Sequence, residues 1–170
     1  YDEKITPKFS LMYSPKKSKN MTNENNRNDI NNIYSFNRIG VRDTVEDGAS
    51  MTIGTEYKKT RKNYSDFIDF NIATIIRAKK NEDLSSISTI GDKHSNFFGN
   101  FKVLPNENFA LDYNFALDNN LTKSAYDSIK TNFTVNNFIT SFEYVDDKMN
   151  VEQKSYVANN TSFGIDSSNS

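Results

Sequence analysis

The sequence has no cysteine, no tryptophan and a single histidine, with only three prolines and six glycines in 170 residues. Lack of cysteine excludes disulfides, thiolate metal ligands and thiol nucleophiles, without selecting a compartment. The one histidine, His94, lies in a polar stretch without the convergent partners that a triad or metal centre needs. The most apolar stretch, around Ile72 to Ile76, is far shorter than the roughly 20 residues of a spanning helix. A net charge of −1 gives no electrostatic reason to expect nucleic acid or an anionic membrane surface as a partner. The chain opens on Tyr1 with no basic and apolar leader and closes on the polar run Ser167 to Ser170, which reads as an excised or processed piece.

Hydrophobic residues make up only 35% of the chain, and its mean hydropathy is −0.75. Yet 13 Phe and 9 Tyr are present, whereas disordered chains are poor in aromatics. A polar but aromatic-rich chain suits an architecture with two differently wetted faces.

Period two recurs along nearly the whole sequence, and helical period almost nowhere. Phe9, Leu11 and Tyr13 alternate with Ser10 and Met12; Met51, Ile53, Thr55 and Tyr57 alternate with Thr52, Gly54 and Glu56. The same holds for Ile68 to Arg77, Phe97 to Val103, Phe109 to Asp118, Ile129 to Val135 and Phe138 to Tyr144, with a weaker run from Ser155 to Ile165. Strand side chains alternate between faces, so each run presents one apolar and one polar surface. This predicts an all-β antiparallel meander of about eight strands. Pro105 to Asn108 and Asn136–Asn137 read as tight turns, and Lys58 to Ser65 as a somewhat longer link. Polar loops are expected over 14–32, 79–95, 118–123 and 146–153. Short links and long loops therefore fall at opposite ends of the sheet, as in outer-membrane barrels. Three readings remain open on pattern alone. They are a section of a transmembrane β-barrel, a small self-contained eight-stranded barrel or surface-binding protein, and a soluble β-sandwich module.

The segment Tyr34 to Tyr57 changes character midway. Its first half gathers Arg38, Arg42, Asp43, Glu46 and Asp47 between Gly40 and Gly48, with no strand period; its second half is a strand. The stretch resembles a segment of the LptD family of lipopolysaccharide-assembly outer-membrane proteins, through Phe36, Asn37, Arg38, Gly40, Asp43 and Gly48. Ile5 to Pro15 is similar to the family's preceding strand, and Leu104 to Asn120 to a later hairpin. One departure is that Arg42 stands before Asp43, where the family has the arginine after the aspartate. The resemblance implies an internal section of a larger barrel, residues 1–170, with a long loop over 14–48. It also implies lipopolysaccharide and outer-membrane lipids as partners, with an LptE-like plug lipoprotein and an LptA-like periplasmic bridge.

In such a barrel the loop motif Phe36, Asn37, Arg38, Gly40, Arg42, Asp43 and Gly48 reads as a structural feature folded toward a polar lumen. Arg38 and Arg42 are expected to pair with Asp43, Glu46 or wall carboxylates such as Asp112 or Glu143. The run Lys58, Lys59, Arg61, Lys62 reads as a solvated turn near anionic headgroups rather than a nucleic-acid site, because stacking aromatics are not interleaved with it. With no phosphate-binding glycine loop and no zinc-protease motif, the sequence offers no catalytic, cofactor-binding or metal-ligating set, and an enzyme is not expected.

Overall fold

The computed structural model describes residues 1–24, 26–62, 66–85, 88–149 and 154–163. Eight strands follow in chain order: β1 (Asp2–Ser14), β2 (Gly48–Thr60), β3 (Asp66–Arg77), β4 (Phe97–Asn106), β5 (Phe109–Leu117), β6 (Ser124–Val135), β7 (Phe138–Asp147) and β8 (Lys154–Phe163). They form one antiparallel meander in sequence order, β1 to β8. The sheet is open: β1 and β8 are its two edges, not partners of each other. No helix occurs among the described residues. This is the predicted all-β meander, consistent with a section of a barrel.

Some strand ends differ from expectation, for local reasons. β4 continues through Leu104 to Asn106, leaving only residues 107–108 as the turn. The β4–β5 register shifts between Val103 and Asn106, and Pro105 lies in that irregularity, where no ladder N–H is required of it. β2 begins at Gly48, whose φ of +76° lets the chain leave the loop and enter the ladder opposite Ser14. The last strand is β8, Lys154–Phe163, and the remainder of the expected run, 164–165, lies outside the described residues.

Register converts the alternation into continuous rows. On the apolar face, Ile5, Tyr57, Phe70, Phe101, Tyr113, Ile129, Tyr144 and Val157 are neighbours across all eight strands. On the other face, Lys58, Asp69, Lys102, Asp112, Lys130 and Glu143 form a row of alternating sign from β2 to β7. Lys58 lies 3.6 Å from Asp69, and Lys102 3.3 Å from Asp112. One level nearer the long loops, Asn71, Asn100, Asn114 and Ser128 continue the polar surface. Opposite charges directly across a ladder favour this register over its neighbours.

Burial inverts the usual arrangement. Among the described residues, every buried strand residue projects from the polar face, Gly99 excepted: Ser50, Thr52, Ala73, Ile75, Arg77, Phe98, Asn100, Ala116, Ser128 and Val145 are examples. The apolar face is open, with Phe9 61%, Leu11 71% and Tyr13 72% exposed on β1. Gly99 is covered because the Phe115 ring lies over it, where a Cβ would collide with the ring. The long connections 15–47 and 78–96 account for the inversion, since they fold back onto the polar face.

The charge row yields a direct test. Asp112 also accepts hydrogen bonds from the Asn100 amide (2.8 Å) and the Asn114 amide (2.9 Å). Asp112→Lys sets three cations side by side and should cost about 1–2 kcal/mol, with Asp112→Asn costing less. Equal thermal unfolding midpoints for wild type and Asp112→Lys would show that the row contributes nothing.

Candidate functional site: a loop fastened to the polar wall

Residues 15–24 and 26–47 cross the polar face as irregular chain interrupted by turns. Their main anchor is Ile33, fully buried against Ala73, Ile75, Phe98, Ala116 and Met149. Small wall residues make this approach feasible. A Cβ at Gly54 would strike the Tyr34 hydroxyl and the Ile72 carbonyl, so only glycine admits the Tyr34 ring here. The loop also packs on its neighbour: Met21 and Ile39 meet Leu84 and Ile90 in a second apolar cluster. Hydrogen bonds reinforce that contact. The Met21 N–H donates to the Asp83 carbonyl (2.6 Å), and the Asn81 amide donates to Ser18 Oγ (2.8 Å) and Asp47 Oδ1 (2.5 Å).

At the centre lies an ion triad. Glu46 Oε2 accepts from Arg38 Nη2 at 2.7 Å and from Arg77 Nη2 at 2.9 Å. All three side chains are within 3% of full burial. Arg38 donates further to Ser50 Oγ (2.6 Å) and Thr52 Oγ1 (3.1 Å), and the Thr52 hydroxyl donates to the Ile33 carbonyl (3.3 Å). Burial pushes the Arg38 guanidinium below its ordinary value, with the Glu46 carboxylate opposing the shift. The group remains cationic at neutral pH, as arginine does in proteins. One carboxylate thus joins a loop arginine to the last residue of β3. Among the described residues Arg38 Nε and Glu46 Oε1 have no hydrogen-bond partner, so the triad is not fully satisfied.

The structure separates the residues that the sequence motif grouped. Asn37 closes a turn on itself, donating to the Val41 carbonyl (2.5 Å) and accepting from the Gly40 N–H (3.2 Å), with Gly40 at φ +78°. Phe36 is 70% exposed and Arg42 is exposed. Asp43 pairs with Lys19, whose hydrogen bond holds its carboxyl below the usual range. The suggested wall partners of the arginines belong elsewhere: Asp112 to Lys102 and the asparagines, Glu143 to the Tyr156 hydroxyl at 3.5 Å. Sequence reasoning missed Arg77, whose signal was an arginine closing the polar face of β3 just beyond the apolar Ala73 and Ile75.

Between loop and wall lies a polar cavity of about 250 Å³, lined in part by Lys8, Tyr34, Glu56, Asp69, Asn100 and Lys102. Among the described residues no three of His, Asp and Glu converge as a metal site, and His94 is exposed. The arrangement holds a segment in place; it presents no nucleophile with an aligned base.

Removing the central carboxylate isolates two buried cations. Glu46→Ala should cost about 3–5 kcal/mol and expose residues 15–47 to protease, while Arg42→Ala should change stability by less than about 0.5 kcal/mol. The combination Arg38→Met, Glu46→Leu, Arg77→Met should recover most of the loss, because apolar replacement removes the desolvation cost along with the charges. Unchanged melting and protease resistance in Glu46→Ala would refute the fastening role.

The family model for LptD, LPS transport system D, matches residues 1–168. No curated protein matches the chain. The matched family is an outer-membrane family of transport proteins rather than enzymes. The open meander with its polar, loop-covered face accords with that match, and the chain belongs to the LptD family of lipopolysaccharide transport proteins.

Proposed function

We propose that residues 1–170 form one wall section of a transmembrane β-barrel that carries lipopolysaccharide across the outer membrane and delivers it to the outer leaflet. The carrying observation is the inverted burial. The apolar face bears Phe9, Leu11, Tyr13, Ile53, Phe133 and Phe142, each more than 40% exposed, and the buried strand residues lie on the polar side. In water that face would be an aggregation surface; against hydrocarbon it is matched. The alternating charges and asparagines opposite it suit a hydrated lumen.

Two unpaired edges, β1 and β8, support a section of a larger barrel over a self-contained one, since exposed edges recruit further strands. In this reading the motif Phe36 to Gly48 is a structural element that holds the 15–47 loop against the lumen wall. The outer membrane is the location. An LptE-like plug and an LptA-like bridge are the partners of the assembled barrel.

The absence of cysteine from the chain makes it suited to cysteine mapping. In the full-length parent barrel within outer membranes, Leu11→Cys and Phe142→Cys should react with a lipid-confined thiol reagent and resist a water-soluble one. Lys102→Cys and Asn132→Cys, on the opposite face, should show the reverse. Equal reactivity of all four toward the water-soluble reagent would rule out a lipid-facing surface.

A further inference from the structure

The basic turn after β2 is divided by the sheet. Lys58 points to the polar face, where it lies 3.4 Å from Glu56 and 3.6 Å from Asp69. Lys59 points to the apolar face, opposite Glu3 and Ile68. There the β2–β3 register shifts: Lys59 pairs with Ile68 and Thr60 with Asp66, leaving Phe67 as the extra residue of a bulge. The Phe67 ring stacks under the Arg61 guanidinium at 4.1 Å and lies 6.0 Å from the Tyr1 ring. Tyr1 in turn is 5.0 Å from Lys59 Nζ and 6.0 Å from Arg61.

Two cations, Lys59 and Arg61, therefore meet two aromatic rings at the short-link end of the apolar face, and Lys62 follows in the same turn. Among the described residues, Lys59 alone of the three has a carboxylate partner, Glu3 at 2.7 Å. Arg61 contacts rings but, among the described residues, no carboxylate, and its buried Nε has no hydrogen-bond partner. Lys62 is exposed. The other links at this end, at Glu107–Asn108 and Asn136–Asn137, carry no cation. Aromatic rings partition to the membrane–water interface, and a guanidinium seated over a ring, without a carboxylate partner, can offer its N–H fork to a phosphate.

We propose that the Arg61 turn binds the phosphate of an anionic glycerophospholipid in the leaflet at the short-link end of the barrel. The reading rests on the barrel assignment above. The ring pair lies at headgroup depth, Arg61 supplies the fork, and Lys62 adds a second charge. Phosphatidylglycerol fits; phosphatidylcholine, whose own cation offsets its phosphate, fits less well.

The test uses the full-length barrel reconstituted in vesicles of phosphatidylcholine with or without phosphatidylglycerol. Folding is read by heat-modifiable gel mobility, and lipid retention by native mass spectrometry. Wild type should retain phosphatidylglycerol over phosphatidylcholine by about fivefold for each cation near the surface. Arg61→Ala should lose about fivefold, Lys62→Glu at least as much, and Lys123→Ala, at the opposite end, nothing. Lys62→Glu alters an exposed side chain, so it keeps the test decisive if Arg61→Ala does not fold. Folding with no preference for phosphatidylglycerol overturns the site and leaves the barrel standing. Failure to fold into either vesicle overturns both. Displacement of the lipid by an equal concentration of inorganic phosphate overturns the lipid as ligand.

Discussion

One carboxylate oxygen, Oε2 of Glu46, receives both a loop arginine and a wall arginine at hydrogen-bond distance. The loop position depends on this contact. A buried ion pair is weak evidence of net stability, because desolvation offsets most of the attraction. Its value lies in selectivity: any other position of the loop leaves two guanidiniums and a carboxylate buried without partners. Ile33 supplies the apolar adhesion, which is non-directional, and the triad supplies the register. The Arg38 bonds to Ser50 and Thr52 extend that register along the first residues of β2.

The same loop explains how a sheet with a polar face acquires a core on that face. Ala73 and Ala116 are small, and Gly54 has no side chain, so the wall is shallow where Ile33 and Tyr34 settle. Phe98, the one large ring on the polar side of β4, is sealed by the loop and by Met149. Further along the strands the wall returns to asparagines and the alternating charge row. The polar face thus has a dry upper zone under the loops and a wettable lower zone, and the cavity beside Tyr34 lies between them.

Much of the fold was legible because period two survives any solvent: alternation marks a strand whether its apolar side meets protein or lipid. The rows Ile5 to Val157 and Lys58 to Glu143 needed register, which alternation alone does not give. The family resemblance was legible in Phe36, Asn37, Arg38, Gly40, Asp43 and Gly48, yet of these only Arg38 reaches the buried triad. The others make turns, stay exposed or pair at the surface. Arg77 was invisible as a partner because it is distant along the chain and only the β2–β3 pairing brings it beside Ser50. Arg61 was legible as charge but not as a stacked charge, since the bulge at Phe67 breaks the alternation that would have placed its ring on a face.

A meander in which each strand pairs only with its neighbours in sequence carries an order of construction. β1 and β2 make the first ladder, and Arg38 can meet Ser50 and Thr52 as soon as it exists. Arg77 is the last residue of β3, 31 positions beyond Glu46, so the triad cannot close until the third strand is fully laid. Until then Glu46 is held by Arg38 alone, and the loop is tied to β2 but not to β3. Closing the triad therefore requires β2 and β3 to be paired in the register that sets Arg77 opposite Ser50.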